Sequence, residues 1–134
     1  MLYTKEGLYY NGKWVSDKRE GFGLMVNQDG SYYLGDWYRN KPNGKGTFAN
    51  SDGSWSYTGY WRMGDMDGEG QELFPDGTRF KGFYKNNLKK GKGKYTFPNK
   101  CKFEGNFDND KANGKGKQFG LNYVYDGEWK DGRM

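Results

Sequence analysis

An aromatic residue, any residue, a glycine, any residue and a second aromatic recur along the whole chain. The units read Tyr10-Asn11-Gly12-Lys13-Trp14, Tyr33-Leu34-Gly35-Asp36-Trp37 and Tyr57-Thr58-Gly59-Tyr60-Trp61, then Phe80-Lys81-Gly82-Phe83-Tyr84, Phe103-Glu104-Gly105-Asn106-Phe107 and Tyr125-Asp126-Gly127-Glu128-Trp129. Their central glycines are spaced by 23, 24, 23, 23 and 22 residues. A second glycine pair starts nine residues after each of the first five: Gly21/Gly23, Gly44/Gly46, Gly68/Gly70, Gly91/Gly93 and Gly114/Gly116. Asp29-Gly30, Asp52-Gly53 and Asp76-Gly77 close the first three units; the fourth has Asn99-Lys100, and the fifth has Asn122 and one residue fewer. A period of this length means a string of small identical units, each leaning on its neighbours.

Side chains alternate along a strand, so Tyr57, Gly59 and Trp61 share one face while Thr58 and Tyr60 point to the other. A glycine between two rings leaves bare backbone for a ring to lie across. Large flat rings then stack from unit to unit and bury apolar area in one layer. Three residues beyond the second aromatic stand Asp17, Asn40, Gly64, Asn87, Asp110 and Gly132, residue types that tolerate the positive φ of a tight turn. The Gly-x-Gly is read as opening the return strand, with Phe48, Phe74, Tyr95 and Phe97 extending the aromatic set, and the Asp-Gly steps as turns. Each unit is then one hairpin that cannot bury its face alone.

The aromatic-x-Gly-x-aromatic core, the turn and the Gly-x-Gly together resemble the MORN (membrane occupation and recognition nexus) repeat, whose motif is close to Tyr-x-Gly-x-Trp, a short turn and Gly-x-Gly. The resemblance covers essentially the whole chain and is weakest in the fifth unit, where Gln118-Phe119-Gly120 departs from the usual aromatic run. The expected fold is all-β: one elongated, twisted, single-layer antiparallel sheet of tandem hairpins, about five full repeats with partial ends. Residues 1–134 form one domain, with repeats starting near 10, 33, 57, 80 and 103 and a partial unit from 125. Glu6-Gly7-Leu8-Tyr9-Tyr10 parallels Asp29-Gly30-Ser31-Tyr32-Tyr33, so the chain is expected to begin on the return strand of a half-repeat and to stop at Met134 inside a sixth turn.

Composition agrees with a thin fold. Hydrophobic residues are 33% of the chain and aromatics 19%, with 23 glycines and no isoleucine, which leaves too little aliphatic material for a core packed on both sides. The aromatic content argues against disorder. There is no histidine, which removes Ser-His-Asp and Cys-His triads and most zinc sites. The lone Cys101, placed on the inner aromatic face by alternation, is read as packing and forms no internal disulfide. Asp65, Asp67 and Glu69 do not follow a calcium-loop spacing. The Gly-Lys-Gly steps lack the rest of a phosphate-loop pattern. No enzyme activity, metal or cofactor is expected. The start of the chain lacks the apolar run of a signal peptide. No stretch approaches the roughly 18 apolar residues of a membrane helix, so a cytoplasmic setting is the default.

The expected activity is non-catalytic binding. Tyr57, Trp61, Phe80, Tyr84, Phe103 and Phe107 are the candidates for a groove that anchors a partner helix or peptide, and the same rings serve equally as core. The structural repeat positions are Gly12, Gly35, Gly59, Gly82, Gly105 and Gly127. On the opposite face, Tyr9, Tyr32, Leu34, Tyr38, Tyr60 and Phe83 are either plain strand formers or a docking row. Residues 1–67 are neutral (8 basic, 8 acidic) and residues 68–134 carry the whole net charge of +5 (14 basic, 9 acidic). Lys85, Lys89, Lys90, Lys92 and Lys94 are thus either a solvated, aggregation-resistant edge or a surface for an anionic membrane. Nucleic acid is disfavoured because the charge is diffuse. Open end strands allow an end-to-end homodimer. The resemblance further implies cytoskeletal, ciliary or membrane-skeleton association, or a place beside a methyltransferase or lipid kinase domain in a longer protein.

Overall fold

The computed structural model describes residues 9–133. They form one open antiparallel sheet whose strands lie side by side in chain order. The strands are β1 (Tyr9–Val15), β2 (Lys18–Val26), β3 (Tyr32–Tyr38), β4 (Lys41–Ala49), β5 (Ser56–Arg62), β6 (Asp65–Leu73), β7 (Arg79–Lys85), β8 (Leu88–Thr96), β9 (Lys102–Asp108), β10 (Lys111–Phe119) and β11 (Val124–Trp129). Odd strands carry the aromatic-x-Gly-x-aromatic motif and even strands return. Glu6, Gly7 and Leu8 of the expected half-repeat lie outside the described residues.

Each odd strand ends in a two-residue turn with φ positive at both positions: Ser16-Asp17, Arg39-Asn40, Met63-Gly64, Asn86-Asn87, Asn109-Asp110 and Asp131-Gly132. That is the hairpin turn whose twist matches the twist of the flanking strands. The turns also tie one unit to the one before. The backbone N–H of Asn40 donates to Arg19 O at 3.1 Å, that of Gly64 to Pro42 O at 2.8 Å and that of Asn87 to Met66 O at 3.0 Å. The first three longer connections close on an acidic side chain: Asp29 Oδ1 accepts from the Ser31 N–H at 2.9 Å, Asp52 Oδ1 from the Ser54 N–H at 2.9 Å and Asp76 Oδ1 from the Thr78 N–H at 2.8 Å.

The return strand does not open at the Gly-x-Gly. It starts at Lys18, Lys41, Asp65, Leu88 or Lys111, three residues earlier, and the Gly-x-Gly sits in its middle. The reason is a bulge. Between the pairs Trp37↔Pro42 and Gly35↔Gly46 the odd strand advances two residues and the return strand four, so the return strand carries two extra. The first glycine of each Gly-x-Gly absorbs this irregularity at positive φ, from 67° at Gly21 to 104° at Gly44.

The second glycine has a different task. Gly12, Gly23, Gly35, Gly46, Gly59, Gly70, Gly82, Gly93, Gly105, Gly116 and Gly127 stand directly opposite one another, one per strand, in a single row across the sheet. The first ring of each unit lies across this row. A Cβ on Gly93 would fall 2.5 Å from Phe80 Cζ, and one on Gly116 2.7 Å from Phe103 Cζ. In the first three units the tyrosine hydroxyl donates to the carbonyl three residues on: Tyr10 to Lys13, Tyr33 to Asp36 at 2.9 Å and Tyr57 to Tyr60 at 2.9 Å.

The rings meet edge to face and do not stack from unit to unit. Tyr57 touches Trp61 of its own unit with centroids 5.0 Å apart and Tyr84 of the next at 5.0 Å and 90°. Phe80 repeats this with Tyr84 at 5.7 Å and Phe107 at 5.2 Å. The ring quadrupole favours this herringbone over a parallel stack, by about 0.5–1.5 kcal/mol per pair beyond the area buried. One face of the single layer, here the inner face, thus becomes the core.

Candidate functional site

Tyr57, Phe80, Tyr84, Phe103 and Phe107, five of the six rings expected to line a partner groove, are between 0% and 6% exposed, and Trp61 is half-buried. They hold adjacent hairpins together, and a partner resting on this face meets the rings around them instead. Those are Phe48, Trp55, Phe74, Tyr95 and Phe97, all half-buried. Tyr95 and Phe97 lie parallel, 5.7 Å apart and inclined by 8°, and Tyr95 leans on Phe80 at 4.8 Å. Two hollows flank Tyr95. One of about 380 Å³ is bounded by Phe74, Pro75, Thr78 and Tyr95, and another of about 270 Å³ by Tyr95, Phe97, Phe103, Phe107, Ala112 and Trp129.

Beneath the first hollow is a buried ionic cluster. Lys89 and Glu72 are 8% and 7% exposed, with Lys89 Nζ 3.4 Å from Glu72 Oε1 and 3.8 Å from Asp110 Oδ1. The ammonium also lies over the rings of Phe80 (5.1 Å), Phe74 (5.7 Å), Tyr95 (5.8 Å) and Tyr84 (5.9 Å). Glu72 accepts hydrogen bonds from the Tyr84 hydroxyl at 2.5 Å and from Trp55 Nε1 at 2.9 Å. Burial opposes the Lys89 charge, but Tyr95, Glu72 and Asp110 outweigh it, and the pKa lies above the ordinary lysine value. Burial and then the bond to Glu72 push the Tyr84 hydroxyl pKa up.

Sequence reasoning placed Lys89 on an anionic surface and overlooked Glu72. A signal was available. Glu72 occupies the strand position of Met25, Phe48, Tyr95 and Gln118, and Lys89 that of Arg19, Pro42, Met66 and Ala112, both inner-face positions. Arg19 is the parallel case: 6% exposed, over the Trp37 ring at 4.8 Å, with its guanidinium donating to Asn40.

The other four lysines of that set are on the outer face or its rim and are largely engaged. Lys85 Nζ is 4.0 Å from Asp67, Lys90 2.8 Å from Asp108 and Lys94 3.5 Å from Glu104. Lys92 and Lys94 join Lys81, Lys115 and Lys117 around an outer-face trough of about 650 Å³ that also includes Glu69, Glu104, Asp126 and Phe83. On the same face Leu34, Tyr38, Tyr60 and Phe83 are 39–49% exposed, as alternation predicts, and Phe22 is the most exposed aromatic there at 66%. Asp65, of the acidic turn cluster, accepts from Asn87 at 2.9 Å.

These features define a tandem β-hairpin repeat with a herringbone aromatic core along a glycine row. The MORN repeat model matches residues 10–32, 33–55, 57–79, 80–102, 103–119 and 125–134, and the chain belongs to the MORN-repeat family. Repeats of this type are non-catalytic and generally bind proteins or membranes. Comparison with curated proteins yields no match.

Proposed function

We propose that the chain is a non-catalytic scaffold that holds a helix or extended peptide of a protein partner against its inner face. The observation that carries this reading is the pair of aromatic-walled hollows on either side of Tyr95. The core rings are committed to the sheet, whereas Phe74, Tyr95 and Phe97 keep part of their surface in water and stand where anchor side chains would enter. The proposed setting is cytoplasmic, beside the cytoskeleton, a cilium or a membrane skeleton, as the family resemblance implies. Selection of displayed peptides against the purified chain tests the reading. Binders should lose affinity at least tenfold with Phe74→Ser or Tyr95→Ser and tolerate Lys92→Glu with Lys115→Glu. Indifference to the aromatic substitutions would sink it.

A second reading is favoured by the outer-face trough. Its five lysines outnumber its three carboxylates, of which Glu104 pairs with Lys94 and Asp126 with Lys117, so the trough keeps a surplus of positive charge that an anionic surface would meet. Anionic vesicles should then float the chain at low salt and release it at high salt. Lys81→Glu with Lys92→Glu should abolish flotation. Flotation that persists in this variant counts against the trough.

A further inference from the structure

The two hollows beside Tyr95 differ in charge. The one of about 270 Å³ has both Asp110 and Lys111 in its lining, and the two offset one another. The one of about 380 Å³ is bounded by Phe74, Pro75, Asp76, Thr78 and Tyr95, and among the described residues Asp76 is the only charged one that lines it. Asp76 is exposed in the loop that follows β6. Its Oδ1 accepts from the Thr78 N–H at 2.8 Å, which fixes the carboxylate on the rim. The bonds from Thr78 also hold its pKa below the ordinary aspartate value, so it is charged at neutral pH.

The walls suit a cation. Phe74 and Tyr95 stand with centroids 6.4 Å apart and planes inclined by 32°, and both are half-buried, so each keeps ring surface in water. The quadrupole of a ring attracts a cation over its face. Beneath the hollow, the Lys89 ammonium already lies 5.7 Å from the Phe74 centroid and 5.8 Å from that of Tyr95. It does not close the site to a second cation, because Glu72 and Asp110 both reach it, at 3.4 Å and 3.8 Å. Together with Asp76, three carboxylates stand around one ammonium. The hollow is thus a negative spot in the half of the chain that carries the whole net charge of +5.

We infer that this hollow seats one arginine side chain of the protein partner, its guanidinium lying on the exposed ring surface of Phe74 and Tyr95 and donating to the Asp76 carboxylate. Arginine is preferred to lysine because its planar, weakly hydrated head stacks on a ring and donates from its edge at the same time. The volume is at the small end of the range for ligand pockets, about 300–1,000 Å³, and suits a single long side chain. The inference rests on the scaffold reading above and names the chemistry of one anchor within it.

The test is titration of the purified chain with N-acetyl-arginine N-methylamide and, in parallel, with its neutral isostere N-acetyl-citrulline N-methylamide, followed by the Thr78 amide and Tyr95 ring resonances. The arginine probe should shift both sets along one saturable curve that weakens as salt rises, and the citrulline probe should bind about fivefold less tightly or worse. Asp76→Asn keeps the loop, as Asn99 shows in the next unit by accepting from the Cys101 N–H at 3.0 Å, and should weaken arginine binding by about fivefold or more. Tyr95→Leu removes a wall and should abolish the response at Thr78; Phe74→Leu does the same service if the Tyr95 variant fails to fold. No shift up to the solubility limit of the arginine probe, equal affinity for citrulline, or an arginine affinity untouched by Asp76→Asn overturns the inference. Displayed peptides that still bind through Phe74 and Tyr95 under any of those outcomes would leave the scaffold reading standing and remove the arginine anchor alone.

Discussion

Gly91 and Gly93 stand two residues apart and resist a side chain for different reasons. Gly91 has φ of 79° and nothing within 4 Å of the place a Cβ would take, so Gly91→Ala meets only backbone strain, about 1–2 kcal/mol. Gly93 has ordinary extended backbone, but its Cβ would enter the Phe80 ring, and Gly93→Ala should cost about 3 kcal/mol because the ring cannot retreat without losing Tyr84 and Phe107. Urea midpoints of the two variants should separate in that order. Lys100 gives the converse case. It sits at φ of 71°, where three other units have Gly30, Gly53 and Gly77, so Lys100→Gly should raise stability by about 0.5–1 kcal/mol in the same assay.

The same loops set an acid limit. Hydrogen bonds from the Ser31 hydroxyl and N–H hold the Asp29 pKa below the ordinary aspartate value, and Ser54 and Thr78 do the same for Asp52 and Asp76. A carboxylate with a lowered folded pKa contributes stability above its unfolded pKa of about 3.9 and loses it as pH falls through the folded value. Tm should therefore drop below about pH 4, and less steeply when all three aspartates are changed to asparagine. Asn99, which accepts from the Cys101 N–H at 3.0 Å, shows that the loop closes without the charge.

At the scale of the element, the cluster between β6 and β8 is the most specialised feature of the sheet. A buried ion pair is costly to break by halves. Glu72→Leu leaves the Lys89 ammonium under the rings with only the half-exposed Asp110 nearby and should cost about 3–5 kcal/mol. Adding Lys89→Met, which copies Met66 two strands away, should recover most of that loss. Thermal melts of the single and double variants decide between a pair that stabilises and a pair that only specifies how the hairpins meet.

At the scale of the molecule, units touch only their neighbours, so stability adds along the array. The buried side chains fall into two clusters. Tyr10, Met25, Tyr33 and Trp37 form one, while Tyr57, Phe80, Tyr84, Phe103, Phe107, Ala112 and Trp129 form the other, and Trp61 packs against both. Trp61 is thus the coupling residue: its ring meets Tyr57 within its own unit and Tyr33 of the unit before, at 5.4 Å. Trp61→Ala should split the denaturant transition or lower its apparent m-value, with hydrogen exchange in β1–β4 accelerating ahead of β7–β10. A single sharp transition with the parent m-value would show that coupling is spread more widely.

The hairpin series, the all-β class and the turn positions from Asp17 to Gly132 were legible in the sequence, because a glycine between two rings and a turn residue three positions on are local demands of strand alternation and positive φ. The bulge was not legible, because two extra residues are visible only when a strand is laid beside its partner. The fate of the rings was not legible either. Whether Tyr57 and Phe80 face a partner or the next hairpin depends on how neighbouring units close over them. The lysine run from 85 to 94 reads as one patch along the chain, yet Lys89 turns to the opposite face and enters the core beside Glu72, seventeen residues away in sequence. The sequence by itself determined which contacts a unit makes within its own hairpin. Only the tertiary structure decided which side chains the neighbouring hairpins covered, since burial in a single-layer sheet comes from adjacent units and no unit supplies it alone.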